Sequence, residues 1–239
     1  MSHPERIVPD GTSPGIVALH LKRYEFARPE CAGKDVLDAG CGVGYGSAYL
    51  ADVARRVTGV DLSVEAIDYA RARYELENVE FQVADLAALP LPDDAFDVVC
   101  SFETIEHVPD ADRVLAELVR VLRPDGTVYL STPRAEHSTS RPANPFHETE
   151  FDAGSLTSLL RRHFADVTVL GQRRLQTRRH RTLLRLDVLG LRRRLPALRG
   201  VSALLGTPAT AHVTLDGIVI GPDRLERATE LVAVCRAPR

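Results

Sequence analysis

The chain has little lysine, no closely spaced cysteines and no long apolar run. Each shortage narrows what it can be. The four cysteines, at 31, 41, 100 and 235, contain no Cys-x-x-Cys pair. A zinc ribbon and a dithiol redox motif are therefore not indicated. A disulfide framework is not expected either, and a reduced, cytoplasmic setting is. No apolar stretch approaches the ~20 residues that a helix needs to span a bilayer. The opening Met-Ser-His-Pro-Glu-Arg lacks the apolar core of a secretory leader. Of 30 basic residues only Lys22 and Lys34 are lysine, a bias from which no function follows.

Charge is unevenly spread. The formal net charge is −3, yet residues 173–199 hold ten arginines and one aspartate, so the rest of the chain carries the opposite excess. That stretch mixes Leu with Arg and reads as a basic insertion. It could meet an anionic membrane surface or a lipid-linked acceptor, or simply be a solvated helix. Nucleic acid is not expected as a partner, because the chain is acidic overall and the stretch has no interleaved aromatics.

The patterning is that of one α/β domain over 1–239, and no internal repeat is visible. Residues 1–30 read as an irregular arm followed by a helix near 15–29. Strand patterns follow at Val36–Asp38, Val57–Asp61, Val79–Ala84, Asp97–Phe102 and Thr127–Ser131, with helices near 45–54, 64–74 and 110–122 between them. This alternation predicts a mostly parallel, doubly wound sheet. Arg123-Pro-Asp-Gly126 reads as the stop of a helix before a strand. A polar segment, 134–150, is followed by a helix near 155–163 and strands near 167–170 and 230–236. The basic insertion lies between those two strands.

The most informative stretch is Val36-Leu-Asp-Ala-Gly-Cys-Gly-Val-Gly-Tyr-Gly46. A buried-strand pattern ends in Asp38, and glycines at 40, 42, 44 and 46 precede a helical pattern. Such a turn at the carboxyl edge of a parallel sheet is a nucleotide-type cofactor site. It does not have the dinucleotide spacing Gly-x-Gly-x-x-Gly, since Tyr45 stands where the third glycine would be. The lysine and hydroxyl of a triphosphate loop are missing as well. Asp61 ends the second strand, where a carboxylate can accept hydrogen bonds from ribose hydroxyls. Asp85 ends the third, where an adenine edge could sit. With Asp38 in the first turn, three acids disfavour pyrophosphate and suit a cationic ligand carrying an amine, a ribose and an adenine.

These residues give the chain a resemblance to class I S-adenosylmethionine-dependent methyltransferases. The likeness covers about residues 34–133, with a looser extension to 170. Its motifs are the glycine turn at 36–44, Val-Thr-Gly-Val-Asp-Leu-Ser at 57–63, Val-Ala-Asp-Leu at 83–86, Phe-Asp-Val-Val-Cys-Ser-Phe-Glu-Thr-Ile-Glu-His-Val at 96–108 and Val-Leu-Arg-Pro-Asp-Gly-Thr at 121–127. The resemblance implies a Rossmann-like seven-stranded sheet, mostly parallel with the last strand antiparallel, and S-adenosyl-L-methionine as cofactor. It implies that Asp38, Gly40 and Gly42 hold the methionine part, Asp61 the ribose, Leu62 the adenine face, and Asp85 with the Leu86 backbone the adenine edge. Phe102 would face the reacting methyl.

The acceptor side is less constrained. Asn144-Pro-Phe-His-Glu-Thr-Glu-Phe151 and Arg23-Tyr-Glu-Phe-Ala27 resemble segments of methyltransferases of sugar and glycan biosynthesis. The second is expected over the cofactor mouth. Region 134–239 would then form the acceptor side, for a small-molecule, glycan or lipid-linked acceptor. His147 and His107 are the candidate bases for a hydroxyl acceptor, a role worth roughly 10²–10⁴ in rate. A magnesium site at His137, His147, Glu148 and Glu150 has no fixed ligand spacing to support it, and no metal is expected. A quinone, polyketide or lipid-like hydroxyl is the alternative acceptor. A non-catalytic cofactor-binding protein is the alternative outside enzymes.

Overall fold

In the computed structural model, residues 6–175 and 213–239 are described. Strands β1 (Asp35–Ala39), β2 (Arg56–Asp61), β3 (Val79–Val83), β4 (Phe96–Phe102) and β5 (Leu122–Pro133) alternate with helices α1 (Pro14–Cys31), α2 (Tyr45–Ala51), α3 (Val64–Arg73) and α4 (Ala111–Val121). Then come α5 (Ala153–Leu160), β6 (Phe164–Arg174), β7 (Ile218–Gly221) and β8 (Glu230–Pro238). They form one sheet in the order β3-β2-β1-β4-β5-β8-β6-β7. Strands β1 to β5 pair in parallel. β8 runs antiparallel to both β5 and β6, and β7 antiparallel to β6.

Among the described residues eight strands stand where seven are expected, with two of them reversed. The additional one, β7, is four residues long and pairs Ile218–Gly221 with Arg174–Gly171 at the sheet's edge. A strand this short is hard to see in a sequence, because period-2 alternation needs more residues to register. The basic stretch also begins later than its composition suggests. Arg173 and Arg174 belong to β6, and most of 173–199 lies outside the described residues. Residues 123–126 do not separate α4 from a later strand. They bulge within β5, since Phe96 faces Leu122 whereas Val98 faces Thr127.

The alternation of side chains along the strands builds the two larger of three cores. Leu37, Ala39, Val99, Val128 and Leu130 face α4 and α5, whose Leu115, Leu118, Leu156 and Leu160 are buried there. Val36, Val98, Cys100 and Tyr129 face α1 and α2, with Tyr24, Ala27 and Leu50. Three helix starts are capped by side chains: Ser63 accepts from Ala66 N, Asp110 from Arg113 N and Asp152 from Ser155 N.

Candidate functional site

The glycine turn between β1 and α2 sits at the carboxyl edge of the parallel strands. Gly40, Gly42 and Gly44 have φ of 84°, 55° and 82°, a region that costs glycine little and other residues more. A Cβ on Gly40 would meet Thr104 Oγ1 at 2.3 Å, so the loop after β4 packs directly on this turn. A Cβ on Gly42 would meet nothing within 4 Å, which leaves that backbone open to a ligand. Asp61 stitches the turn to the end of β2: its carboxylate accepts from Gly42 N at 2.9 Å and from Ser63 N at 2.9 Å. Beside it Leu62 is 72% exposed, an uncovered apolar side chain at the same edge. Asp85 is exposed and accepts from Ala87 N at 2.9 Å, while the Leu86 side chain is buried in the core.

Asp38 and Phe102 both lie on the α1 side of the sheet, in step with Val36 and with Val98 and Cys100. Asp38 is fully buried, and its carboxylate accepts from Ser47 Oγ at 2.6 Å and from Tyr24 OH at 3.1 Å. It does not present its charge to the open turn. Burial pushes its carboxyl up to about 6, against the hydrogen bonds from Ser47 and Tyr24 that lower it. Phe102 packs edge-on against Tyr24 with ring centroids 4.9 Å apart. Tyr24 also lies over Gly46, where a Cβ would meet its ring at 1.9 Å. Thus the Arg23–Ala27 segment props the turn from below.

Arg23 reaches the other half of the edge. It is 1% exposed and sits 3.5 Å from Glu103 and 3.8 Å from Glu230, at the end of β4 and the start of β8. It donates to His20 Nδ1 at 3.2 Å, and burial with the Arg23 charge lowers His20 to about 3. Glu103 has φ of 51°, a left-handed conformation that is uncommon for its type and typical of strained functional loops. Its carboxylate accepts from Ser131 Oγ at 2.8 Å. Sequence reasoning passed over Glu103, although it directly follows the strand-end Phe102.

His107 and His147 do come together, with ring centroids 5.0 Å apart and edge-on. His107 Nδ1 lies 2.8 Å from Phe146 O. Glu106 is 1% exposed, and burial followed by the neighbouring Glu103 charge holds its carboxyl well above the usual range. Asn144 Oδ1 accepts from Phe146 N at 3.1 Å, so its amide nitrogen donates to His147 Nε2 at 3.0 Å. His147 Nδ1 lies 3.4 Å from Glu150 Oε1.

Glu106, His107 and His147 are the group of three among the described residues whose ligand atoms all lie within 4.8 Å of one another. Burial disfavours the charged form of the Glu106 carboxyl, and His147 Nε2 already accepts from Asn144. The quartet weighed from the sequence, His137, His147, Glu148 and Glu150, is not such a group among the described residues. His147 pairs with Glu150, while His137 and Glu148 are exposed.

The sheet order and the glycine turn define a Rossmann-like methyltransferase fold. Residues 37–130 match the model of the methyltransferase domain family. The chain is 43% identical over 180 residues to a probable S-adenosylmethionine-dependent methyltransferase of Mycobacterium tuberculosis, covering 70% of this chain and 62% of that protein. It is 41% identical over 122 residues to a fatty-acid O-methyltransferase of Mycolicibacterium smegmatis, covering 50% of this chain and 44% of the other. It therefore spans less than two thirds of these relatives' length. An S-adenosylmethionine-dependent methyltransferase from Mesorhizobium loti shares the fold at a TM-score of 0.61 and 19% identity, over 96% of this chain and 99% of that one.

Proposed function

We propose that this protein transfers the methyl of S-adenosylmethionine to a hydroxyl of a sugar, glycan or glycolipid. The observation that carries the reading is the polar loop after β4, which packs on the glycine turn through Thr104 and meets the 144–150 segment through the contacts of His107 with Phe146 and His147. A polyhydroxyl acceptor offers donors and acceptors for such groups. The relative that acts on fatty acids favours a second reading, a lipid-like acceptor. Peripheral membrane contact through 173–199 would suit either a glycolipid or that acceptor.

In this reading Gly40 and Gly42 cradle the methionine part, and Asp38 acts from beneath by fixing the turn. Asp61 keeps acceptor capacity for the ribose, Leu62 covers the adenine, and Asp85 with the Leu86 backbone meets its edge. Phe102 supports the methyl end through Tyr24. When bound, the cofactor supplies an electrophilic methyl on a sulfonium whose departure needs no proton. The chain's part is to align the acceptor in line, at about 3–3.5 Å, and to take the hydroxyl proton.

Calorimetry with S-adenosylhomocysteine and with NAD tests the cofactor, and methyl-label transfer to sugar, glycolipid and fatty-acid fractions tests the acceptor. Asp61→Ala should weaken S-adenosylhomocysteine by about 1.5–3 kcal/mol. Tighter binding of NAD, or label confined to the fatty-acid fraction, would overturn the corresponding half of the reading.

A further inference from the structure

We propose that Glu106, His107 and His147 form a binding site for one divalent first-row transition ion, where the loop after β4 meets the 144–151 segment. The inference goes beyond methyl transfer, and the binding it describes can be read without acceptor or cofactor.

The loop after β4 sets out two of the three ligands. Ile105–His107 is one 3-10 turn, in which Ile105 anchors in the core and Glu106 is 1% exposed. The turn carries the Glu106 carboxyl inward, with Oε1 4.0 Å from His107 Nε2. Glu106 Oε2 is buried and accepts no hydrogen bond among the described residues, and a buried polar atom left in that condition calls for a partner. The third ligand comes from the other segment. Glu148 N and Thr149 N donate to Glu106 O at 2.7 and 3.2 Å, which fixes the chain beside His147 against this turn. The His147 ring then meets the His107 ring edge-on. One ligand atom from each of the three residues falls within 4.8 Å of the others.

Two imidazoles and a carboxylate suit first-row ions, whereas magnesium and calcium favour oxygen ligands. Three protein ligands also leave coordination positions open. An imidazole that binds a metal is ordinarily oriented by a polar group at its other nitrogen. His107 has the Phe146 carbonyl 2.8 Å from Nδ1. His147 has Glu150 Oε1 3.4 Å from Nδ1. Binding through His147 Nε2 exchanges the Asn144 amide for the ion and leaves Glu150 to orient the ring.

The local charge also favours a cation. Burial raises the Glu106 carboxyl, and a divalent charge in contact with it reverses that preference. Glu103 and Glu150 add negative charge around the three residues, and Arg23, 3.5 Å from Glu103, offsets part of it. Ligand atoms about 2.0–2.2 Å from an ion stand roughly 3–3.5 Å apart, so binding draws the three together by side-chain rotation. Thr104, two residues before Glu106, packs on Gly40, which sets the ion's loop against the glycine turn.

The test uses the full chain, stripped with a chelator and titrated with Mn²⁺, Zn²⁺ and Mg²⁺ without acceptor or S-adenosylmethionine. One Mn²⁺ should bind per chain and Zn²⁺ should displace it, while Mg²⁺ should bind roughly a hundredfold more weakly than Mn²⁺. Electron spin-echo spectra of the Mn²⁺ complex should show coupling to nitrogens of two imidazoles. Glu106→Gln, His107→Ala and His147→Ala should each weaken Mn²⁺ by about tenfold or more. His137→Ala, outside the group, should leave the affinity unchanged. The spectra of the unaltered protein depend on no variant folding, and absence of imidazole coupling there would overturn the proposal. So would a folded Glu106→Gln or His107→Ala protein that binds Mn²⁺ as tightly as the unaltered chain. Since neither acceptor nor cofactor is present, failure here leaves the methyl-transfer reading standing, and success stands even if no fraction accepts label.

Discussion

Asp38 shows how one buried carboxylate links the site to pH. Its ordinary value is 3.8 and the folded chain holds it at about 6. Below pH 4 it is neutral in both folded and unfolded chains and costs nothing. Between pH 4 and 6 the unfolded chain ionises first, so stability falls as pH rises, and above pH 6 the full penalty of about 3 kcal/mol is present. Asp38→Asn should therefore lose this fall. The difference in unfolding free energy between the two proteins should change between pH 4 and 6 and stay flat above. An equal difference at pH 4 and pH 7 would mean that Asp38 does not titrate there. The residue's orientation was legible in principle, since period 2 puts position 38 on the face of Val36.

Among the elements, α1 packs directly on α2. Gly46 lies beneath the Tyr24 ring, and a methyl there would overlap it. Gly46→Ala should cost about 1–3 kcal/mol through overpacking and weaken S-adenosylhomocysteine by tilting the turn. Truncating the ring with Tyr24→Ser should make the two changes non-additive in a urea-unfolding cycle, the double variant costing less than the sum. Strict additivity would mean the contact is not what excludes a side chain at 46. The helices and parallel strands were legible because each carries its own period and turn chemistry. The four-residue β7 was not, and neither was the bulge at 123–126, where Pro and Gly read as a break though the strand continues around them. The contact between His107 and the 144–147 turn joins segments nearly 40 residues apart, and no local pattern reports it.

For the whole molecule, Arg23 ties α1 to the residue after β4 and to the start of β8. Removing a buried charge while leaving its partners costs about 3–5 kcal/mol. Arg23→Met should destabilise the protein on that scale at pH 8. The loss should shrink as pH falls, because burial already raises the Glu230 carboxyl and protonation removes the uncompensated charge. Adding Glu103→Gln and Glu230→Gln should recover much of the stability. If the triple variant is as unstable as Arg23→Met alone, the ion pairs are not the cause.

The sheet order also dictates when the fold can close. β8 (Glu230–Pro238) lies between β5 and β6, yet the ribosome makes it after both. Until then β5 has an open edge, and the β6–β7 ribbon has no strand to join it to the rest. The parallel half, whose pairings are all complete by residue 133, can assemble during synthesis, while the antiparallel half must wait for its central strand. At about 5–20 residues per second, the roughly hundred intervening residues leave the β5 edge unpaired for several seconds, long enough to meet another nascent chain or a chaperone first.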